Sequence, residues 1–380
     1  MRVIAAGNRV SGKVGAQEQP DRQDVPQLNL LPSIPDYSPA SLPVLDQRAR
    51  GTTFIQLSVR SVLNTPASTH MGFWSINPYV GCEFGCTYCY ARDTHKWTVE
   101  RAVGRKGGSL PPYRLTALPS EEAFEKEILV KADVAEVLAR TLNPTRLAGS
   151  SLVIGTATDP YQPAERRFRL TQQILEVLRS YHGLSIEIIT KSPLVTRDID
   201  LLQALSRQNE VNVNISLATA DPRLARRLEL RSPVPAARLR ALRRLTAGGI
   251  YAGLIVAPII PGITDDWAGL ARLMEAAKEA GARYVIGSAL RLGSAARLRF
   301  LPVLEREFPE LYERYRRHYA TSDMASRSYQ DALTRRLNAL RQAFGFVGDE
   351  GSSRRRRRLE EPDRRDSGQA PQPAEQVMLL

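Results

Sequence analysis

The chain has 380 residues, of which 43% are hydrophobic and 24% are charged, so it is long enough to bury a substantial core. No apolar run reaches the roughly 18 residues of a membrane-spanning helix, and the first residues lack the apolar stretch of a secretory signal. These features exclude an integral membrane protein and predict a cytoplasmic protein with no membrane partner. The net charge of +13 admits nucleic acid as a partner, because clustered Lys and Arg bind phosphate backbones.

The two ends of the chain have a composition typical of low order. Residues 1–50 mix Pro, Gln, Asp and Ser without periodicity, which predicts a segment that is flexible or wrapped over the body. Residues 348–380 include a run of five arginines and are predicted to form a disordered Arg-rich tail. Between them, residues 51–295 are predicted to form the core domain and residues 296–347 a helical C-terminal extension.

Short β-rich runs alternate with helical patterns through the core domain. Gly, Pro or polar residues bound each run, as is typical of parallel strands covered by helices. The six predicted strands are residues 73–77, 152–156, 185–190, 211–217, 251–257 and 284–289. Residues 121–142 have the pattern of one helix, and residues 301–344 that of two more. Six βα units wind right-handedly into an open partial barrel or a doubly wound sheet, whose functional loops lie at the carboxyl ends of the strands.

All three cysteines of the chain follow the first predicted strand, in the loop G-C-E-F-G-C-T-Y-C-Y. Cys82, Cys86 and Cys89 have the spacing C-x3-C-x2-C, and three thiolates this close can hold three corners of a [4Fe-4S] cluster with one iron left open. One alternative is three buried, inert cysteines. Another is a zinc site of the Cys3His type that uses His95.

The motif C-x3-C-x-aromatic-C, with Tyr88 as the aromatic residue, resembles the signature of the radical S-adenosylmethionine (radical SAM) superfamily. The stretches INPYVGCEFGCTYCYARDTH, GTATDPYQPAE, IITKS, NISLAT and VAPIIPGITD are similar to the branch related to spore photoproduct lyase and called DNA repair photolyase-like. The resemblance runs from about residue 70 to 295 and implies a partial (βα)6 radical SAM barrel.

The same resemblance implies the cofactors and the chemistry. The expected cofactors are one [4Fe-4S] cluster and S-adenosylmethionine, whose reductive cleavage yields a 5′-deoxyadenosyl radical that abstracts hydrogen. The electron would come from a low-potential donor such as ferredoxin or flavodoxin. Since no cysteine lies outside the motif, a second cluster is not expected.

The resemblance also assigns residues near the methionine part of the cofactor. Asp159, in one segment with Thr158, occupies the place where the superfamily receives the methionine amino group; Asp159-Pro160 also reads as an ordinary turn. Lys191 resembles a family lysine that faces the methionine carboxylate, which suits an ammonium point charge. Its alternative is a solvated loop lysine.

Other residues are assigned to the nucleoside part. Asn214 and Ser216 share one face of a predicted strand, because strand period is two, and Ser216 matches a family position that binds the ribose. Ile259 and Gly262 resemble the segment that packs against adenine, and Tyr88 is expected near the base. The alternatives are a satisfied buried hydroxyl and plain core packing.

The hydrogen-transfer route and the substrate are open at this stage. Spore photoproduct lyase uses an additional cysteine as hydrogen donor, which this chain lacks, so Tyr79, Tyr90 and Tyr161 are the candidates for a radical relay. Nucleic acid is one candidate substrate, and the alternatives are a peptide or small molecule, or a non-catalytic iron-sulfur protein. The nucleic-acid hypothesis depends on cations and interleaved aromatic residues, namely Arg223, Arg226, Arg227, Arg231, Arg238, Arg240, Arg243, Arg244 and residues 314–319. Solvated helix faces are the alternative reading.

Overall fold

The computed structural model describes residues 44–47, 51–69, 72–95 and 118–346. The predicted tail at 348–380 and residues 1–43 of the predicted N-terminal segment lie outside the described residues. The proposed boundary between a core domain and a helical extension near residue 295 stays a prediction.

Eleven strands in the described ranges form two sheets. In chain order they are β1 (Val44–Gln47), β2 (Thr53–Gln56), β3 (Leu63–Asn64), β4 (Trp74–Ile76), β5 (Tyr79–Val80), β6 (Glu127–Val130), β7 (Ser151–Ile154), β8 (Ser185–Thr190), β9 (Glu210–Ser216), β10 (Tyr251–Ile259) and β11 (Val285–Ala289). The larger sheet has the order β11-β10-β9-β8-β7-β4-β3. Its strands from β4 to β11 pair in parallel, and β3 joins the edge antiparallel.

The larger sheet confirms the predicted α/β class and the partial barrel. All six predicted strands lie in it and pair in parallel, in an order without a closing contact between the described edge strands. One face of the sheet is apolar and packed against helices: Leu152, Ile186 and Val213, for example, all lie on it and are fully buried. The carboxyl ends of these strands therefore meet along one edge.

The predicted helix over residues 121–142 is wrong. A helix over Ser120–Lys126 leads directly into β6, and a second helix over Val134–Thr141 follows. β6 pairs with β2 on one side and β5 on the other, in a smaller sheet of order β1-β2-β6-β5. Ile128, Leu129 and Val130 are completely buried there, so burial in a sheet overrides a pattern that also fits a helix.

The helices cover the larger sheet and end in a C-terminal extension. They are α1 (Pro66–Thr69), α2 (Ser120–Lys126), α3 (Val134–Thr141), α4 (Pro144–Leu147), α5 (Glu165–Phe168), α6 (Leu170–Leu178), α7 (Ile199–Ser206), α8 (Pro222–Leu228), α9 (Pro235–Ala247), α10 (Trp267–Glu279), α11 (Ser294–Glu307), α12 (Pro309–Thr321) and α13 (Arg327–Phe344), with a 3-10 turn over Pro193–Asp198. The extension holds three helices where two were predicted, because Pro309 starts a new helix directly after α11. In the described part of the chain, no helix has the length and apolarity to cross a bilayer.

A separate apolar cluster joins the cysteine loop to the extension. It includes Phe84 of the loop, Phe124 of α2, Phe300 of α11 and Tyr315 of α12, each at most 3% exposed. The loop is thus packed against α2 and against two helices of the C-terminal extension.

Candidate functional site

A cavity opens at the carboxyl edge of the larger sheet, where the cysteine loop crosses it. The walls come from the loop after β5 and from the ends of β7 to β11. Among the lining residues are Cys82, Cys86, Tyr88, Cys89, Tyr90, Thr158, Asp159, Lys191, Ser216, Ala257, Pro258 and Arg291. The structure thus gathers at one edge side chains that lie more than two hundred positions apart in sequence.

The three thiols line this cavity together. All three are free of disulfide bonds, and Cys82 and Cys86 are buried. Burial raises the pKa of Cys86 to about 12, with the carboxylate of Glu229 acting in the same direction. Burial likewise raises the pKa of Cys82 and that of Cys89. Buried thiols of this kind give up their protons when a metal cation binds, so the donor set suits iron bound by three thiolates.

His95 does not join the cysteines. Its ring is 1% exposed and lies edge-on to Phe124, with 6.3 Å between ring centroids, and it is not among the residues that line the cavity. In the described ranges, no three His, Cys, Asp or Glu side chains converge closely enough to hold one metal ion. The Cys3His arrangement considered from the sequence is therefore not formed here.

The segment after β7 supports the cysteine loop from one side. Thr158 Oγ1 donates to the carbonyl of Gly81 at 2.6 Å, and Gln162 Nε2 donates to the same carbonyl at 3.2 Å. The amide of Ala164 donates to Glu83 Oε2 at 2.7 Å. Thr158, predicted as a cofactor residue, lines the cavity and at the same time holds the start of the motif.

A second segment, residues 228–232, supports the loop from the other side. The amide of Thr87 donates to the carbonyl of Leu228 at 2.9 Å, and the amide of Arg231 donates to the carbonyl of Phe84 at 3.0 Å. Between these two bonds Cys86 and Glu229 form an antiparallel β-bridge. The sequence contained no signal for this pairing, because it joins positions about 140 residues apart.

Lys191 stands at the centre of a charged group under the cavity. Its Nζ donates to Ser216 Oγ at 2.7 Å and lies 3.7 Å from Glu229 Oε1. The hydroxyl of Tyr88 donates to Glu229, and Arg238 forms an ion pair with the other carboxylate oxygen. Burial by itself raises the pKa of Glu229, but Arg238 and Lys191 outweigh it and hold that pKa below its ordinary value.

Asp159 serves the turn and the cavity together. Its carboxylate accepts hydrogen bonds from the amide of Tyr161 at 2.9 Å, from Thr190 Oγ1 at 2.6 Å and from the amide of Lys191 at 2.7 Å. Burial raises its pKa, and these three donors act against that rise. The carboxylate ties the segment after β7 to the end of β8, while the residue lines the cavity.

The residues assigned to the nucleoside separate into two groups. Ser216 lines the cavity, but Asn214, one pleat earlier in β9, accepts from the hydroxyl of Tyr284 at 2.7 Å and is not a lining residue. Ile259 is fully buried in the core. Gly262 sits in the following turn, where its amide donates to Asp265. In this region Ala257 and Pro258, joined by a cis peptide bond, form the wall instead.

The three tyrosines considered for a radical relay also separate. Tyr90 lines the cavity, and its hydroxyl donates to the carbonyl of Thr156. The hydroxyl of Tyr79 donates to Glu165 Oε2 at 2.5 Å, away from the lining residues. Tyr161 packs beside Arg197, whose guanidinium carbon lies 5.8 Å from the ring centroid. The structure thus brings Tyr90 alone of the three to the cavity wall.

Interleaved aromatic and cationic side chains at 314–319 do not form a nucleic-acid surface. Tyr315 and Tyr319 are 3% and 2% exposed and face the core, whereas Arg314, Arg316 and Arg317 are exposed. Residues four apart share one face of a helix, so the helical period places the two tyrosines on the buried face and the arginines on the exposed one. The aromatic part of that interpretation is wrong.

Several of the arginines between residues 223 and 244 serve the fold. Arg238 is buried, Arg231 pairs with Glu125 at 2.8 Å, and Arg227 pairs with Glu307 at 2.7 Å. Within the described ranges, the arginines of this group that are exposed and form no ion pair are Arg223, Arg226, Arg240, Arg243 and Arg244. The basic surface is therefore smaller than the sequence indicates.

Sequence reasoning missed a buried ion pair behind the cysteine loop. Arg92 is 0% exposed, donates to the carbonyl of Cys86 at 2.7 Å and pairs with Glu125. Arg299 also reaches Glu125, at 3.0 Å. The position of Arg92 three residues after the last cysteine was visible in the sequence, but its carboxylate partner was not.

Comparison with known proteins identifies a family and several relatives that this chain matches. Residues 76–274 match the family model described as the radical SAM superfamily. An uncharacterized protein of Mycobacterium tuberculosis is 33% identical over 301 residues, which cover 79% of this chain and 83% of that protein. An uncharacterized protein of Methanocaldococcus jannaschii is 26% identical over 268 residues, covering 68% of this chain and 85% of that protein.

A solved structure shares the fold. A spore photoproduct lyase variant superposes with a TM-score of 0.53 at 15% sequence identity, covering 81% of this chain and 86% of that chain. At this level of identity the likeness shows a shared fold.

Proposed function

The chain belongs to the radical SAM superfamily, and on that premise we propose that Cys82, Cys86 and Cys89 hold one [4Fe-4S] cluster and that the protein reductively cleaves S-adenosylmethionine. The observation that carries the proposal is the convergence of three free thiols, Asp159 and Lys191 on one cavity. When bound by these residues, the cluster would supply the one-electron reduction that cleaves S-adenosylmethionine and so the means of hydrogen abstraction.

The residues of the cavity have separate tasks in this proposal. Lys191 presents an ammonium charge to the methionine carboxylate, and its bond to Ser216 and its approach to Glu229 keep that charge in place. Asp159 offers a carboxylate to the methionine amino group from a position that three hydrogen bonds fix. Apolar lining residues such as Ala257 and Pro258 exclude water from the reacting region.

Tyr90 is the proposed partner for hydrogen transfer. It lines the cavity directly after the last cysteine, and burial raises its pKa above the ordinary value, so its phenol stays protonated and keeps a hydrogen to give. Tyr79 and Tyr161 remain predictions without support from position. Ile259, Gly262 and Asn214 likewise stay predictions, since any part they take in cofactor binding would be indirect.

Nucleic acid is the proposed substrate class. The exposed Arg223 and Arg226 lie on α8, which begins after the carboxyl end of β9 and ends at Leu228, whose carbonyl binds the cysteine loop. Basic side chains on a helix next to the cavity suit a phosphate backbone. A peptide or small-molecule substrate is the competing outcome.

The first experiment tests the radical chemistry. The full chain is reconstituted anaerobically with iron and sulfide, reduced with dithionite and mixed with S-adenosylmethionine, and 5′-deoxyadenosine is quantified. We expect product from the wild type and none from Cys86→Ala. Bound iron with no cleavage and no change in the cluster EPR signal on addition of S-adenosylmethionine would support a non-catalytic iron-sulfur protein instead.

A second experiment tests the substrate class. Retention of duplex and single-stranded DNA is measured against salt for the wild type and for the double variant Arg223→Gln/Arg226→Gln. The matched control is Arg327→Gln/Arg335→Gln, which removes the same charge from the exposed face of α13. Retention that only the α8 variant loses supports nucleic acid. Equal retention by all three proteins would move the search to peptides and small molecules, followed by deuterium transfer into 5′-deoxyadenosine.

A further inference from the structure

Ser232 stands against one of the three cysteine sulfurs. Its Oγ lies 3.4 Å from Cys86 Sγ, and the serine is 4% exposed. This contact ties the 228–232 segment to the cysteine loop through a side chain, in addition to the main-chain bonds. No family motif among the stretches compared above includes this serine.

The position of Ser232 is fixed by the backbone around it. The amide of Arg231, the preceding residue, donates to the carbonyl of Phe84 at 3.0 Å, and Thr87 binds the carbonyl of Leu228 through its amide and its hydroxyl, each at 2.9 Å. Pro235 starts α9 three residues later. The hydroxyl therefore faces the sulfur from a segment that is bonded to the loop on both sides of Cys86.

The direction of this hydrogen bond follows from the chemistry of an iron-bound cysteine. In the free thiol, either the sulfur or the hydroxyl can donate. A thiolate that ligates iron has no proton, so its sulfur can only accept. Ser232 is then the donor in the loaded protein.

We infer that Ser232 is a positioning residue that raises the reduction potential of the cluster through a hydrogen bond to the sulfur of Cys86. Reduction adds one electron to the cluster, supplied by dithionite in the test below, and increases the negative charge on its sulfur ligands. A donor on such a sulfur stabilises the more negative state, and hydrogen bonds to the sulfurs are among the factors that set cluster potentials. The inference rests on the proposed function.

The test is an anaerobic redox titration of the loaded full chain, with the EPR signal of the reduced cluster as readout. At the potential that half-reduces the wild-type cluster, we expect the ratio of reduced to oxidised cluster to fall about threefold in Ser232→Ala. The matched control is Ser75→Ala, which removes another buried serine hydroxyl, one that accepts from Asn64 in the larger sheet. The control is expected to keep the wild-type ratio.

Two further variants keep the test decisive if Ser232→Ala fails to hold a cluster. Ser232→Thr keeps the hydroxyl and Ser232→Val replaces it with a methyl group of the same shape, so the difference between them isolates the donor. A lower potential in Ser232→Val than in Ser232→Thr supports the inference. Equal potentials in this pair, or an equal shift in Ser75→Ala, would overturn it.

The experiment separates this inference from the function it rests on. A wild-type chain that binds no cluster through its three cysteines would overturn the proposed function and the inference with it. A cluster that cleaves S-adenosylmethionine but whose potential does not respond to the loss of the Ser232 hydroxyl would overturn the inference alone.

Discussion

Replacing Arg238 by Met should destabilise the protein strongly, because it leaves a buried carboxylate without its main partner. Arg238 and Glu229 are 1% and 2% exposed and form an ion pair under the cavity. The guanidinium also donates to the carbonyl of Pro233 at 2.8 Å and to that of Ser216 at 3.0 Å. Met fills much of the volume of the arginine stem but supplies no hydrogen-bond donor.

The size of the effect follows from these contacts. Breaking a buried ion pair by removal of one partner costs about 3–5 kcal/mol. Lys191, 3.7 Å from Glu229, compensates part of the lost charge and lowers the cost. The two carbonyls left without a donor raise it, because an unsatisfied buried acceptor costs about 1–3 kcal/mol. We therefore expect the free energy of unfolding to fall by about 3–5 kcal/mol at pH 8.

The loss should depend on pH in a defined direction. In the wild type, Arg238 and Lys191 hold the pKa of Glu229 below its ordinary value against the effect of burial, so the ion pair stabilises the fold above the unfolded pKa and is lost as pH falls through the folded one. Without Arg238, burial raises that pKa, and the carboxyl takes up a proton at higher pH. The difference from wild type should therefore shrink between pH 8 and pH 5.

The free energy of unfolding is measured by urea titration with far-UV circular dichroism as the readout. All proteins are compared in the same state of cluster loading. The matched control is Arg240→Met, on the exposed face of the same helix, which should change stability by less than about 0.5 kcal/mol. The double variant Glu229→Gln/Arg238→Met should lose less than Arg238→Met alone, since no buried carboxylate is left without its guanidinium partner. An effect of Arg238→Met no larger than that of Arg240→Met would refute the reasoning.

Three other changes test the site and the fold. His95→Leu should flatten the acid dependence of stability, because burial lowers the pKa of His95 to about 4 from 6.5. The neutral buried ring of the wild type is compatible with the fold above the unfolded pKa, and about 3 kcal/mol of the free energy of unfolding is lost as pH falls from about 6.5 to 4. Urea titrations in which the variant keeps the pH dependence of the wild type would contradict this. Gly155→Ala should destabilise the protein by at least about 2 kcal/mol more than Gly149→Ala. Both glycines have positive φ, but only a Cβ at Gly155 would lie 2.5 Å from Pro160. Equal decreases in melting temperature for the two variants would count against this prediction. Lys191→Met should weaken S-adenosylmethionine binding to the loaded protein about tenfold or more in anaerobic calorimetry, while exposed Lys278→Met should not.

The cysteine motif and the six parallel strands were readable from the sequence, because both depend on local patterns. The spacing of Cys82, Cys86 and Cys89 restricts the chemistry without reference to other residues. Short β-rich runs bounded by Gly, Pro or polar residues indicate strands wherever they lie in the sheet. The resemblance to the radical SAM superfamily assigned Lys191 and Ser216 to cofactor binding, and both residues line the cavity in the structure.

Other features depended on contacts between distant segments, which no local pattern contains. The apolar run of β6 fits a helix as well as a strand, and its partners in β2 and β5 decided between them. Tyr315 and Tyr319 interleave with arginines in the sequence, but the helical period places both tyrosines on the buried face of their helix.

Tertiary structure alone decided what surrounds the cysteines. The 228–232 segment, with Glu229 and Ser232, pairs with a loop about 140 residues earlier, and it converts Arg238 from a presumed surface cation into the buried partner of Glu229. A sequence records which groups are able to ionise, donate or bind metal, whereas burial and the identity of the neighbour determine what each of them does. For this protein, local pattern therefore determined the class of chemistry, and long-range packing determined the environment in which it would take place.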